Sequence, residues 1–248
     1  MPGHLEPRAF GELMTESADR HSDAMRAMKA PLGEIAALAS ERSAARAVAA
    51  EAVAALQTAA SLENLAVLTY STALTLPYLK SPANAAFKTV AAFAKTTMAQ
   101  HADHGRAFNA KAKELGGVEQ TKPNPKYAPV VTSAVPKLKR GNPLDLVELA
   151  ITLEDVATST YVRNVQDVSD PKVRLLFGTV AGVESQHLAT LLAVRALLKA
   201  NATNLVTVRA TGGAVDAAAL PAAAGSAPVP ETFKKTDLAS PATEGAVR

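Results

Sequence analysis

Ser61-Leu62-Glu63-Asn64-Leu65-Ala66-Val67-Leu68-Thr69-Tyr70 returns ninety-one positions later as Thr152-Leu153-Glu154-Asp155-Val156-Ala157-Thr158-Ser159-Thr160-Tyr161. Five of the ten positions are identical, and three more exchange within a type (Ser/Thr, Asn/Asp, Leu/Val). Each copy sets a Glu in an apolar stripe with a Tyr seven residues on, which on a helix is the same face two turns away. Around Glu63 that face carries Ala59, Ala60, Ala66, Val67 and Tyr70; around Glu154 it carries Ala150, Ile151, Ala157 and Tyr161. Two carboxylates therefore point where a core should be. A buried unpaired carboxylate costs several kcal/mol, so each needs a partner.

Outward from the repeat, the pattern is helical throughout. Helix A is expected over 43–78 and carries Glu63, with Pro77 kinking or fraying its end. Ser81-Pro82 reads as a cap and first helical residue, so helix B is expected over 82–115, stopped by Gly116-Gly117. Residues 116–142 hold four prolines and several lysines before Gly141-Asn142-Pro143, and read as a long extended crossover. Asn142-Pro143 opens helix C, 143–167, which carries Glu154. Ser169-Asp170-Pro171 opens helix D, 171–200. Short joints within each pair make antiparallel neighbours. The fold class is therefore all-α: a four-helix bundle over 43–202 made of two helix pairs joined by a long crossover. An N-terminal extension, 1–42, is expected to form short helices (15–28, and 31–40 after Pro31). An Ala/Pro-rich tail, 203–248, reads as extended.

Composition agrees. The chain of 248 residues is 48% apolar with only 4% aromatics, which favours closely packed Ala-rich helices over a sheet. Net charge is +3 with the signs interspersed, and no basic patch argues for nucleic acid. The absence of cysteine excludes disulfides, iron–sulfur clusters and thiolate zinc sites. No signal peptide is read in residues 1–30 and no stretch is read as spanning a membrane, so the expectation is a cytoplasmic protein without membrane partners.

Helices B and D carry the remaining chemistry. Helix D has Glu184-Ser185-Gln186-His187 and helix B has His101-Ala102-Asp103-His104. Residues three apart share a face. Val180, Ala181, Leu188 and Leu191 surround the first pair, and Ala94, Met98 and Phe108 flank the second. Glu63, His101, His104, Glu154, Glu184 and His187 thus converge on one core. Carboxylate and imidazole suit iron, manganese and zinc. Without metal, the same set is a buried hydrogen-bonded network. Gln100, Asp103 and Gln186 are read as facing away from it, Asn64 and Asp155 as candidate partners that orient the ligands, and His4 and His21 as solvated.

The helix order, the crossover and these motifs resemble the ferritin-like superfamily over about residues 44–200. That group includes ferritins, bacterioferritins, rubrerythrins and carboxylate-bridged di-iron oxygenases. One Glu from each of two helices and a Glu-x-x-His from each of the other two form its dinuclear site. Five of six ligand types match; His101 stands where the family usually has Glu. The resemblance implies two divalent ions, iron first, with manganese or a mixed pair as alternatives. It implies oxidation of Fe(II) by oxygen or peroxide, and a near-metal role for Tyr70 and Tyr161. A homo-oligomer, dimer or larger, fits the same resemblance. Two other functions stay open: a non-catalytic stress-related scaffold, and a di-iron oxygenase acting on an organic substrate.

Overall fold

The computed structural model of the chain describes residues 7–82, 85–202, 232–239 and 244. Six α-helices and no strand occur among them: α1 (Pro7–Leu74), α2 (Pro77–Lys80), α3 (Ala85–Glu114), α4 (Ala128–Arg140), α5 (Pro143–Asp167) and α6 (Pro171–Lys199). The chain divides into two compact units, Met1–Ala49 and Ala50–Arg248. The second holds the bundle, in which the end of α1 and all of α3, α5 and α6 are helices A to D.

Local chemistry sets the helix ends. Asn142 caps α5: its Oδ1 accepts from Leu144 N–H at 2.8 Å, while Asp145 reaches back to the Asn142 N–H and Pro143 takes the first helical position. Asp170 caps α6 by accepting from the N–H groups of Lys172 and Val173. Gly116, at φ +85°, closes α3: its N–H bonds Lys113 O, and the Gly117 N–H bonds Ala112 O. This paired termination satisfies the last carbonyls and requires a residue at ease in the left-handed region.

Several expectations about the helices need correction. The short N-terminal helices are not separate, because α1 runs through Pro31. One missing hydrogen bond disfavours the helix there, but two extra helix ends would leave more backbone groups unpaired. Pro77 begins the single turn α2 after α1 stops at Leu74. Helix B is described from Ala85 onward, residues 83 and 84 lying outside the described residues, and Pro82 is not helical. The crossover is not simply extended: α4 occupies Ala128–Arg140, with Pro129 in its first turn, Pro136 inside it, and Val131 and Leu138 buried. Of the tail, 203–231, 240–243 and 245–248 lie outside the described residues, as do His4 and the surroundings of His21.

The main core gathers Leu56, Leu65, Val173 and Val180 around three aromatic rings, Phe108, Tyr161 and Phe177, whose centroids lie 5.2–5.9 Å apart. A second cluster, including Leu76, Leu79, Val90, Leu138 and Leu146, packs α2, α3, α4 and α5. By length and composition Ala36–Leu74 is apolar enough to cross a membrane, at a mean hydropathy of 1.2. Half of the qualifying window is buried inside the protein. Leu56, Ala59, Ala60 and Leu65, which contribute to that hydropathy, are core residues.

The crossover is tied down by side-chain amides. Asn64 donates to Gln120 O (2.9 Å), Asn109 donates to Gln120 O (3.0 Å), and Gln57 donates to Val118 O (2.8 Å). Asn64 therefore serves the crossover rather than Glu63, and Asp155 is exposed. Neither is the orienting partner that the sequence suggested.

Candidate metal centre

All six residues singled out by sequence meet in one buried cluster. Glu63, His101, His104, Glu154, Glu184 and His187 are each 3% exposed or less. His101 Nδ1 lies 2.7 Å from Glu63 Oε2, and its Nε2 lies 3.2 Å from Glu154 Oε1. His104 Nδ1 is 2.8 Å from Glu184 Oε1 and 3.7 Å from Glu63 Oε2. His187 Nδ1 is 3.1 Å from Glu184 Oε2 and 3.8 Å from Glu154 Oε2.

The donor atoms form two overlapping groups, Glu63/His101/His104/Glu184 and His101/Glu154/Glu184/His187. Within each, the atoms lie within 4.8 Å of one another. Glu184 and His101 belong to both.

Two imidazoles are oriented alike from outside the cluster. His187 Nε2–H donates to Gln100 Oε1 at 2.8 Å, and His104 Nε2–H donates to Thr232 O at 2.6 Å. A carbonyl oxygen only accepts, so each Nε2 carries a proton and each Nδ1 turns inward. A metal-ligating His is held this way. His101 differs, because both of its nitrogens face carboxylates.

Each repeat's tyrosine serves the other repeat. Tyr70 donates to Glu154 Oε1 (2.6 Å), and Tyr161 donates to Glu63 Oε1 (2.5 Å). Hydrophobic and aromatic walls enclose the polar atoms. Tyr70 stacks on His101 at 5.6 Å, Phe93 meets His187 edge-on at 6.2 Å, and Phe233 meets His104 at 5.4 Å. Between α1 and α5 a narrow cleft lies against Glu63, Tyr70, His101 and Glu154, with room for about one water (≈ 10 Å³).

Ionisation follows from this crowding. Burial alone would raise the Glu63 carboxyl, but the hydrogen bonds and charges of His101 and then His104 hold it at about 2. Glu154 likewise sits well below the usual carboxylate range against its burial, under His101 and then His187. Burial opposes the charged form of His104, yet Glu184 and Glu63 lift it to about 10. His101 is raised well above the ordinary histidine value by Glu184, Glu154 and Glu63, and His187 is raised by Glu154 and Glu184, again against burial. Burial, and then Glu154 or Glu63, push Tyr70 and Tyr161 well above the ordinary phenol value.

The residues fit a pair of cations. His104 Nδ1, Glu154 Oε2 and Glu184 Oε1 are buried and have no hydrogen-bond partner. The 2.8 Å approach of His104 Nδ1 to Glu184 Oε1 is off the hydrogen-bond line, so it is a charge contact only. Carboxylate oxygens left without hydrogen bonds in a dry core are expensive, and a cation that displaced the His104 Nδ1 proton would satisfy both oxygens and that nitrogen at once.

A family model described as a ferritin-like domain matches residues 51–199. The chain belongs to the ferritin-like domain family. The X-ray structure of Desulfovibrio desulfuricans bacterioferritin, whose diiron site was studied in different catalytic states, superposes with a TM-score of 0.54. It is 18% identical, and the match covers 69% of this chain and 98% of that one. At that identity the likeness establishes the fold. Comparison with curated protein sequences gives no match.

This ferritin-like bundle uses three groups that the sequence reading missed. Gln100 faces the cluster and not away from it: it is one turn from His104, is 6% exposed and orients His187. An apolar stripe on a helix is at least 100° wide, so a residue four before His104 lies within it. Gly105 brings α3 against α1: a Cβ there would sit 3.3 Å from Glu63 Cβ. Thr232 and Phe233 had no local signal, since they lie 128 or more residues from His104. Asp103 and Gln186 do face away; Asp103 pairs with Arg106 at the surface.

Proposed function

We propose that the bundle holds two divalent metal ions, iron first, and supports oxidation of Fe(II) by oxygen or peroxide. Manganese or a mixed pair would be held by the same donors. The observation that carries this is the pair of overlapping four-residue donor groups, with inward-facing atoms that have no hydrogen bonds of their own. Glu63 and His104 would belong to one position, Glu154 and His187 to the other, with Glu184 and His101 between them. Bound iron would supply the electron transfer. The chain's own part is to orient His104 and His187 through their Nε2–H groups, to hold Glu63 and Glu154 by tyrosine hydroxyls, and to exclude water. The cleft beside Glu154 has room for a molecule as small as oxygen or peroxide.

The deciding experiment is metal content per chain in untagged protein, with Glu184→Ala and His187→Ala beside it, followed by Fe(II)-dependent oxygen consumption. About two ions per chain, lost in both variants, with oxygen consumed, is the expected result. No metal in the wild type, and none taken up on reconstitution, would overturn the proposal and leave the bundle as a scaffold.

A further inference from the structure

The two outward-facing imidazole nitrogens are satisfied from different places. His187 is served by Gln100, a residue of α3 itself. Among the described residues His104 has no such partner inside the bundle; its Nε2–H is taken by the backbone carbonyl of Thr232. Phe233 then lays its ring against the His104 imidazole and packs on the main core. The next residue fixes the segment to α6: the Lys234 N–H donates to Thr179 O at 3.2 Å. At Gly182 the helix surface lies directly under the segment: a Cβ there would just touch Lys234 Cβ, at 3.4 Å. A larger side chain would have to displace the segment.

We propose that Thr232–Lys234 form a strap that is part of the metal centre, orienting His104 and shielding the Glu63 half of the site. The inference rests on the metal-binding reading above. It makes the two halves unequal: the His187 half is complete within the bundle, and the His104 half is complete only when the strap is docked. It also makes strap docking and metal binding one coupled equilibrium. If the strap improves binding by some factor, metal must improve strap docking by the same factor.

The test uses the full chain and Co²⁺, whose absorption reports binding. Phe233→Ser removes the ring on His104. Gly182→Leu crowds the strap from α6 without altering a ligand, and serves if the first variant folds poorly. Leu238→Ala, at a fully exposed position, is the control. In the wild type and the control, two Co²⁺ bind, and hydrogen exchange of the Lys234 amide slows on loading. In both strap variants one of the two binding steps weakens about 10- to 100-fold, the range for lost orienting partners, while the other changes less than about twofold, and the amide loses its protection. Two wild-type steps in both variants, or an amide indifferent to Co²⁺ in a wild type that binds it, would overturn the strap alone. A wild type that takes up no Co²⁺ would overturn the metal reading, and the strap with it.

Discussion

Tyr70 donates its hydroxyl to Oε1 of Glu154 across 2.6 Å, and so joins the first copy of the repeated motif to the second. Tyr161 returns the bond to Glu63. Within one copy, Glu and Tyr are separated by about 10 Å of helix rise, too far to bond directly. Across the bundle the two copies face each other, and each tyrosine reaches the other's carboxylate. Tyr70→Phe and Tyr161→Phe keep the rings in place and remove one donor each. Each should cost the metal-free protein about 1–3 kcal/mol, the penalty for leaving a buried acceptor short of a partner. Tyr70→Phe should weaken the Glu154 half of the site, and Tyr161→Phe the Glu63 half. Thermal melts and Co²⁺ titrations of the two variants check both statements; identical effects on the same binding step would refute the crossed assignment.

His101 braces α1 to α5 from α3, with one nitrogen on Glu63 and the other on Glu154. A Glu at this position restores the family's usual donor set but puts a fourth carboxylate beside three. His101→Glu should therefore lower the melting temperature of metal-free protein. It should also enlarge the increase in melting temperature on metal addition, because ions bound only by the native state stabilise it. A variant less stable than wild type in both states would show that His101 is required for folding and not only in place of a metal ligand.

Much of this buried cluster was legible in sequence because each of its six residues lies in a local, periodic context. Glu63 and Glu154 announced themselves by repetition, and the i,i+3 pairs on α3 and α6 by sitting in apolar stripes. Helix starts at Pro143 and Pro171 were legible because capping is local chemistry. What failed was non-local or a balance of opposed terms. Pro31 suggests a break and the prolines of 116–142 suggest an extended segment, yet α1 runs through Pro31 and α4 through Pro136. Nothing near Thr232 in the sequence points to His104. Asn64 sits beside Glu63, but its amide is spent on the crossover carbonyl of Gln120.

In the proposed centre proton and metal would compete for the same atoms, which sets the expected pH response. His104 is held at about 10 against an ordinary 6.5, so its contribution is full below about 6.5 and is lost as the pH rises through 10. Glu63 is held at about 2 against 4.5, so its contribution is present above 4.5 and is lost as the pH falls through 2. The metal-free bundle should therefore melt highest between about pH 4.5 and 6.5 and soften from there toward pH 10. Metal affinity should run the other way, rising from pH 6 to 8 with protons released on binding. Melting curves across pH, with and without Zn²⁺, and calorimetry in buffers of different ionisation heat measure these. Affinity independent of pH would mean that the imidazoles are not displaced from their protons by metal.

Gly105 tests whether helix spacing sets the site. Its Cα faces α1 at the level of Glu63, where an added Cβ would meet Glu63 Cβ at 3.3 Å and Asn64 Oδ1 at 3.9 Å. Gly178 on α6 is a contrast, since a Cβ there would meet only Val165 Cγ2 at 4.0 Å. Both substitutions to Ala gain about 1 kcal/mol of helix propensity. At Gly178 that gain should appear as a higher melting temperature. At Gly105 the crowding, about 1–3 kcal/mol in a packed core, should cancel or exceed it. Glu63 cannot easily yield, because His101 holds its Oε2 at 2.7 Å and Tyr161 holds its Oε1. Gly105→Ala should thus weaken Co²⁺ binding in the Glu63 half while leaving the His187 half near wild type. If both binding steps survive unchanged, α3 can back away from α1 by a few tenths of an ångström at no cost to the centre, and the close approach at Gly105 serves packing alone.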